Sequence, residues 1–193
     1  MEARTLLDAL HVAERLKDAT RHCYTSGGRH ESVAEHSWRM TLMAYFLKEE
    51  FPEADIDKVI RMCMIHDLGE AFTGDIPTFE KTQADEEKEE NLLYGWVRTL
   101  PEPFASEMLS MYEEMAARES LEARIYKAID SLEAVIQHNE SALDTWIPHE
   151  FELNLTYGED KAAFSTYMTE LRKMIKEDTV QKIREEGAGT TGM

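Results

Sequence analysis

His66 and Asp67 stand side by side at the end of an apolar run, Met62-Cys63-Met64-Ile65, and Glu70 follows one helical turn later. An imidazole and two carboxylates placed where a core helix belongs are costly to desolvate unless they meet a cation or strong donors. A bound metal ion is the simplest such partner. A second imidazole, His36, shares a helical face with Val33, Met40, Met43 and Leu47, so it points toward the same interior. Two imidazoles and a carboxylate without a nearby cysteine pair suit one divalent transition metal, Mn²⁺, Fe²⁺, Co²⁺, Ni²⁺ or Zn²⁺, better than Mg²⁺. Open positions would remain for water and substrate, so the reaction class is metal-assisted hydrolysis. Glu70 is the candidate general acid or base. Asp75, on the turn before Pro77, can accept hydrogen bonds from a substrate hydroxyl.

These groups need helices to hold them. Leu6, Leu7, Leu10, Val12, Ala13 and Leu16 recur at helical spacing over residues 5–20, and the polar stretch from Arg21 to His30, with Gly27-Gly28, reads as a loop. Ser32 with Glu35 three residues on forms a capping box for the helix that carries His36. One helix is expected from Asp55 to about Phe72, with Val59, Cys63, His66 and Glu70 in line. Further helices follow over residues 83–100 and around Met108–Met115, then over 120–139 and from about 160 to 185. Asp130 lies off the main apolar stripe of the segment over 120–139, on a face with Tyr126 and Ala134. The methionines read as adaptable core filler, and His30 and His138 as surface residues. No segment reads as a strand, so the expected fold is all-α: a single-domain helical bundle over 1–186, with 187–193 as a flexible C-terminal tail.

Composition narrows the partners. The chain has 193 residues, enough for one domain with its own core. With 39 acidic against 21 basic side chains, its formal charge of −18 repels a nucleic-acid backbone, which disfavours polymer binding. A small anion is still admissible where a metal or one arginine inverts the local field. No apolar run reaches membrane length, and Cys23 and Cys63 show no CxxC spacing, so a reduced, cytoplasmic setting is expected.

The order His36, then His66-Asp67, then a distant Asp130 resembles the HD-domain metal-dependent phosphohydrolases. The blocks Glu31-Ser32-Val33-Ala34-Glu35-His36-Ser37, His66-Asp67-Leu68-Gly69-Glu70 and Thr73-Gly74-Asp75-Ile76-Pro77-Thr78 resemble the bacterial 5'-deoxynucleotidase branch more narrowly. That resemblance implies His36, His66, Asp67 and Asp130 as metal ligands and Glu70 as the catalytic carboxylate, with Asp67 helping to orient water. It implies Arg21 for the substrate phosphate and Asp75, Ile76, Pro77 and Thr78 for the nucleoside. His22 stands where the branch carries a tryptophan that crowds the sugar, so sugar and base preference stay open. The implied activity is hydrolysis of (deoxy)nucleoside 5'-monophosphates by a homodimer, with the segments Leu92–Leu100 and Met108–Met115 as candidate interface. Two alternatives remain at this point. One is hydrolysis of nucleoside triphosphates or another small phosphoester; the other is a non-catalytic module that uses the metal to grip a phosphate.

Overall fold

The computed structural model describes residues 1–187, so the expected tail beyond Gly187 lies outside the described residues. In chain order the elements are α1 (Ala3–Glu14), β1 (Thr20–Tyr24), β2 (His30–Ser32), α2 (Val33–Phe46), α3 (Ile56–Ile65) and α4 (Glu70–Thr73). They continue with α5 (Gln83–Val97), α6 (Phe104–Ala117), α7 (Leu121–Glu140), α8 (Glu150–Thr156), α9 (Glu159–Ala162) and α10 (Thr166–Gly187). The core lies where α2 packs on α3 and both pack on α7, around the buried Met40, Val59, Met62, Ile125, Ile129 and Leu132. The bundle is helical, as its apolar periodicity requires.

Four expectations about the elements are corrected. The first helix stops at Glu14, a tight turn follows over Arg15–Lys17, and Thr20 already belongs to β1. The supposed loop from Arg21 is an antiparallel ribbon that pairs Thr20 with Ser32 and Tyr24 with His30 across an irregular register. Gly28 turns this hairpin at φ 80° and donates to the Thr25 carbonyl at 2.9 Å. The ribbon escapes a periodicity reading because only Cys23 on β1 is fully buried, so no apolar alternation marks it.

The expected helix over 55–72 is interrupted at its chemical centre. α3 ends at Ile65, and the amides of Leu68, Glu70, Ala71 and Phe72 each bond three residues back rather than four. Side chains support the tightened turn: Tyr112 on α6 donates to the Ile65 carbonyl at 2.7 Å, and the His66 Nδ1 donates to the Cys63 carbonyl at 2.9 Å. Gly74, at φ 75°, then ends α4 and turns the chain toward Asp75. The last expected helix is likewise divided, since Ser165 accepts from the Met168 amide and starts α10 anew after α9. Between α7 and α10, α8 covers residues that no periodicity announced.

Two side-chain expectations also change. Met64 is exposed, whereas Met40, Met62 and Met115 fill the core as expected. His138 is buried, because α8 and Trp146 fold over the end of α7; His30 is on the surface.

Candidate metal centre

His36 sits on the first turn of α2, four residues past the Ser32 cap, whose side chain and that of Glu35 form the expected capping box. His66 and Asp67 occupy the tightened turn after α3, and Asp130 projects from the middle of α7. These elements bring the four side chains together. The His36 Nε2 lies 3.3 Å from the Asp130 Oδ1 and 3.9 Å from the Asp67 Oδ2. The His66 Nε2 lies 2.8 Å from the Asp67 Oδ2 and 3.9 Å from the Asp130 Oδ1. Bonds of about 2.1 Å to one cation separate neighbouring ligand atoms by about 3.0–3.4 Å, so these spacings suit a shared ion.

Tautomers point the same way. The His66 Nδ1 donates to a carbonyl, which can only accept, so its Nε2 carries the lone pair; that buried nitrogen has no hydrogen-bond partner despite its nearness to Asp67. The His36 Nδ1 donates to the Glu133 carboxylate, which leaves its Nε2 facing Asp67 and Asp130. Burial and the Arg21 charge oppose protonation of His36, yet Glu133 and Asp130 carry its pKa up to about 9. Without a cation the cluster attracts a proton instead, as an excess of carboxylate requires. Burial works against ionisation of Asp130 and Asp67, but Lys127 with the two histidines holds the first well below the carboxylate range, and His66 lowers the second.

Glu133, absent from the sequence reading, is fully buried and gathers three bases: His36, Arg21 at 3.2 Å and Arg39 at 2.6 Å. A signal existed, since Glu133 lies between Ile129 and Ile136 on the apolar stripe of α7, where an acid is out of place. Lys127, one turn before Asp130 and 2.6 Å from it, was also missed. Asp130 itself is not a solvated surface acid; it is partly buried at the wall of the cleft.

A cleft of about 480 Å³ opens beside the cluster. Arg21, His22, His36, Asp67, Glu70, Asp75, Ile76, Thr78 and Asp130 all line it. Pro77 does not line it; its carbonyl accepts from Glu80 and Lys81 and so shapes the segment. Glu70 is buried with its Oε2 unpartnered, and burial, then Asp67, Asp75 and Glu89, push its pKa up to about 10. Burial and these neighbouring carboxylates therefore favour its protonated form. The Arg21 Nη1 is held between Glu31 at 2.9 Å and Glu133. His22 reaches the Glu150 Oε1 at 3.0 Å, and its ring meets Phe79 edge-on at 5.4 Å.

A helical scaffold that converges two imidazoles and two carboxylates on an open cleft, with a buried acid beside them, defines a metal-dependent hydrolase. The family profile described as "HD domain" matches residues 13–172, and the chain belongs to that family. It is 31% identical over 142 residues to the human protein named 5'-deoxynucleotidase HDDC2, covering 72% of this chain and 69% of that one. A predicted metal-dependent phosphohydrolase from Magnetospirillum magnetotacticum superposes with a TM-score of 0.77 at 27% identity, covering 93% of each chain. The cyanophage S-2L HD phosphohydrolase DatZ, solved with dA and one catalytic Zn²⁺ ion, shares the fold at a TM-score of 0.59 and 21% identity, over 89% of this chain and 96% of that one.

Proposed function

We propose that this chain is a metal-dependent 5'-nucleotidase that converts (deoxy)nucleoside 5'-monophosphates to nucleoside and phosphate. One observation carries the reading: the Nε2 atoms of His36 and of the buried His66 face Asp67 and Asp130 beside a cleft where Glu70 offers an unpartnered acid. The names of the relatives, 5'-deoxynucleotidase among them, support the substrate class. His36, His66, Asp67 and Asp130 would hold one divalent ion, with Zn²⁺, Co²⁺, Mn²⁺, Fe²⁺ or Ni²⁺ suited to the mixed donors. Such an ion acidifies water toward neutrality and neutralises phosphoryl charge. Arg21, pinned through Nη1, keeps the rest of its fork for phosphate oxygens. Asp67 orients the attacking water. As the water oxygen bonds to phosphorus and the bond to O5' breaks, Glu70 gives its proton to the departing nucleoside oxygen and recovers one from the water. Asp75, Ile76 and Thr78 line the nucleoside side, and His22 replaces a bulkier sugar contact.

The single-domain reading over 1–186 and a cytoplasmic setting belong to the same proposal. Both cysteines are free and buried, which suits a reducing compartment, and no described helix is long and apolar enough to cross a membrane. We also propose a homodimer, for which a second exposed apolar face is available beside the expected one. On the expected segments Leu92 is exposed while Leu93, Val97, Tyr112 and Met115 belong to this subunit's own core, and Trp38, Leu42, Tyr45 and Phe46 form a further exposed stripe at helical spacing on α2. Trp38→Glu with Phe46→Glu should shift a sizing profile to the monomer.

A phosphate-release screen over nucleoside monophosphates, run with Mn²⁺ or Co²⁺, tests the activity. Metal-loaded protein that hydrolyses none of them would rule the reading out. Turnover of triphosphates alone would select the other hydrolase reading.

A further inference from the structure

The same cleft carries a second cluster. His22 from β1, His138 from α7 and Glu150 from the start of α8 converge there, and all three line the cleft. The Nε2 atoms of both histidines lie 3.0 Å from one atom, the Glu150 Oε1. The His138 Nδ1 is bonded to the Ala134 carbonyl at 2.8 Å, and a carbonyl only accepts. The Nε2 of neutral His138 is therefore a lone pair aimed at a carboxylate oxygen, a contact between two acceptors that needs a positive charge between them. The other Glu150 oxygen, Oε2, takes the Ile147 amide at 2.8 Å, so Oε1 alone is offered to the cluster. The His22 Nδ1 is buried without a partner, so no protein group fixes its tautomer against ligation through Nε2. Both His138 and Glu150 are buried, and the His138 and Trp146 rings pack at 5.8 Å.

We propose that His22, His138 and Glu150 form a second divalent-cation site, of zinc type, in the lining of the same cleft. The 3.0 Å spacings lie within the 2.8–3.9 Å range of the first cluster and suit neighbouring ligand atoms around one ion with bonds of about 2.1 Å. Two imidazoles and one carboxylate form a donor set that zinc accepts, with a fourth position left for water or for an acceptor atom of a molecule in the cleft. The ion would tie α8 to α7 and β1 and add positive charge to the cleft that Glu70 and Asp75 also line. This site stands independently of the hydrolase reading.

Equilibrium dialysis of the full chain against Zn²⁺, and Co²⁺ titration followed by visible absorption, test it. Wild type should bind two ions per chain and Asp67→Ala/Asp130→Ala one. Adding Glu150→Gln to that pair should abolish the remaining ion or weaken it at least about tenfold. Zn²⁺ should raise the melting midpoint of Asp67→Ala/Asp130→Ala and leave that of the triple variant unchanged. Should Glu150→Gln fail to fold, His22→Gln takes its place, since that ring is partly exposed. One ion in wild type with none in Asp67→Ala/Asp130→Ala overturns the proposal, leaving the triad as a proton-bridged hydrogen-bond cluster. Retention of the ion after Glu150→Gln overturns it too. Two ions in wild type without hydrolysis of any nucleotide would remove the hydrolase reading and leave this site standing.

Discussion

The two walls of the cleft are made from different kinds of chain. His36, His66, Asp67 and Asp130 are held by α2, by the turn after α3, and by α7, the helices that share the core, and each imidazole is oriented by a buried acceptor, Glu133 or the Cys63 carbonyl. In the second cluster, which with α8 makes up the far wall, only His138 comes from α7; His22 stands on a two-stranded ribbon, and Glu150 and Asn154 belong to the short α8 segment that Tyr157 follows. That segment is secured by polar bonds to its backbone: the buried Arg172 of α10 donates to the Tyr157 carbonyl at 2.8 Å and to the Asn154 carbonyl at 2.9 Å. A core-built wall keeps its geometry at the precision chemistry needs, whereas a wall tied by a few polar bonds can be reshaped for a different ligand. On the proposed reading, the chemistry falls to the near wall, and the far one is free to contribute to substrate choice.

The sharpest way to break this division is to remove the proton donor of the near wall. If Glu70 acts on the departing oxygen as proposed, Glu70→Gln should lower kcat by about 10²–10⁴-fold with KM little changed. A loss confined to KM would move Glu70 to the binding side. Glu133→Gln tests the layer behind the ligands: it keeps the shape but replaces the carboxylate that orients His36. Metal affinity should fall about 10–100-fold, measured by competition with a chelator. Unchanged affinity would mean that packing alone aims the His36 ring.

The same contrast explains what the sequence disclosed. The near wall was legible because apolar periodicity exposes an imidazole or carboxylate on a buried face, as at His36 and His66. Asp130 needed the order of a known family, since its face of α7 carries no apolar stripe. The break after Ile65 was not legible, because it depends on the Tyr112 hydroxyl arriving from 47 residues away. The far wall was hidden for a related reason: a ribbon with one buried side chain and a seven-residue helix carry too few positions to show a period. His138 read as a surface residue because its cover comes from α8.

Arg172→Met sharpens the comparison from the far side. It leaves two carbonyls of the α8 segment without their charged donor and should cost about 1.5–3 kcal/mol in denaturant unfolding. KM should rise with kcat within a few-fold of wild type. A fall in kcat matching the loss of Glu70 would show that the two walls are not separable.

Ser32 joins the walls, and its removal should have the smallest effect. The residue ends β2, whose ribbon carries His22, and caps α2, whose first turn carries His36. Ser32→Ala removes the hydroxyl that accepts from the Glu35 amide and should cost about 1 kcal/mol of stability. If the core fixes His36, metal affinity and kcat should hold; a drop in either would mean that the near wall leans on the ribbon. Acid titration examines the same joint. The Arg29 guanidinium, and then Ser32 against the opposing effect of burial, lower the Glu35 pKa from 4.5 to about 2. The carboxylate therefore contributes stability above pH 4.5, and that contribution fades as pH falls toward 2. Arg29→Ala should flatten this part of the stability profile, by a small amount because the pair is exposed to solvent. An unaltered slope would place the acid sensitivity in the buried carboxylates of the cleft instead.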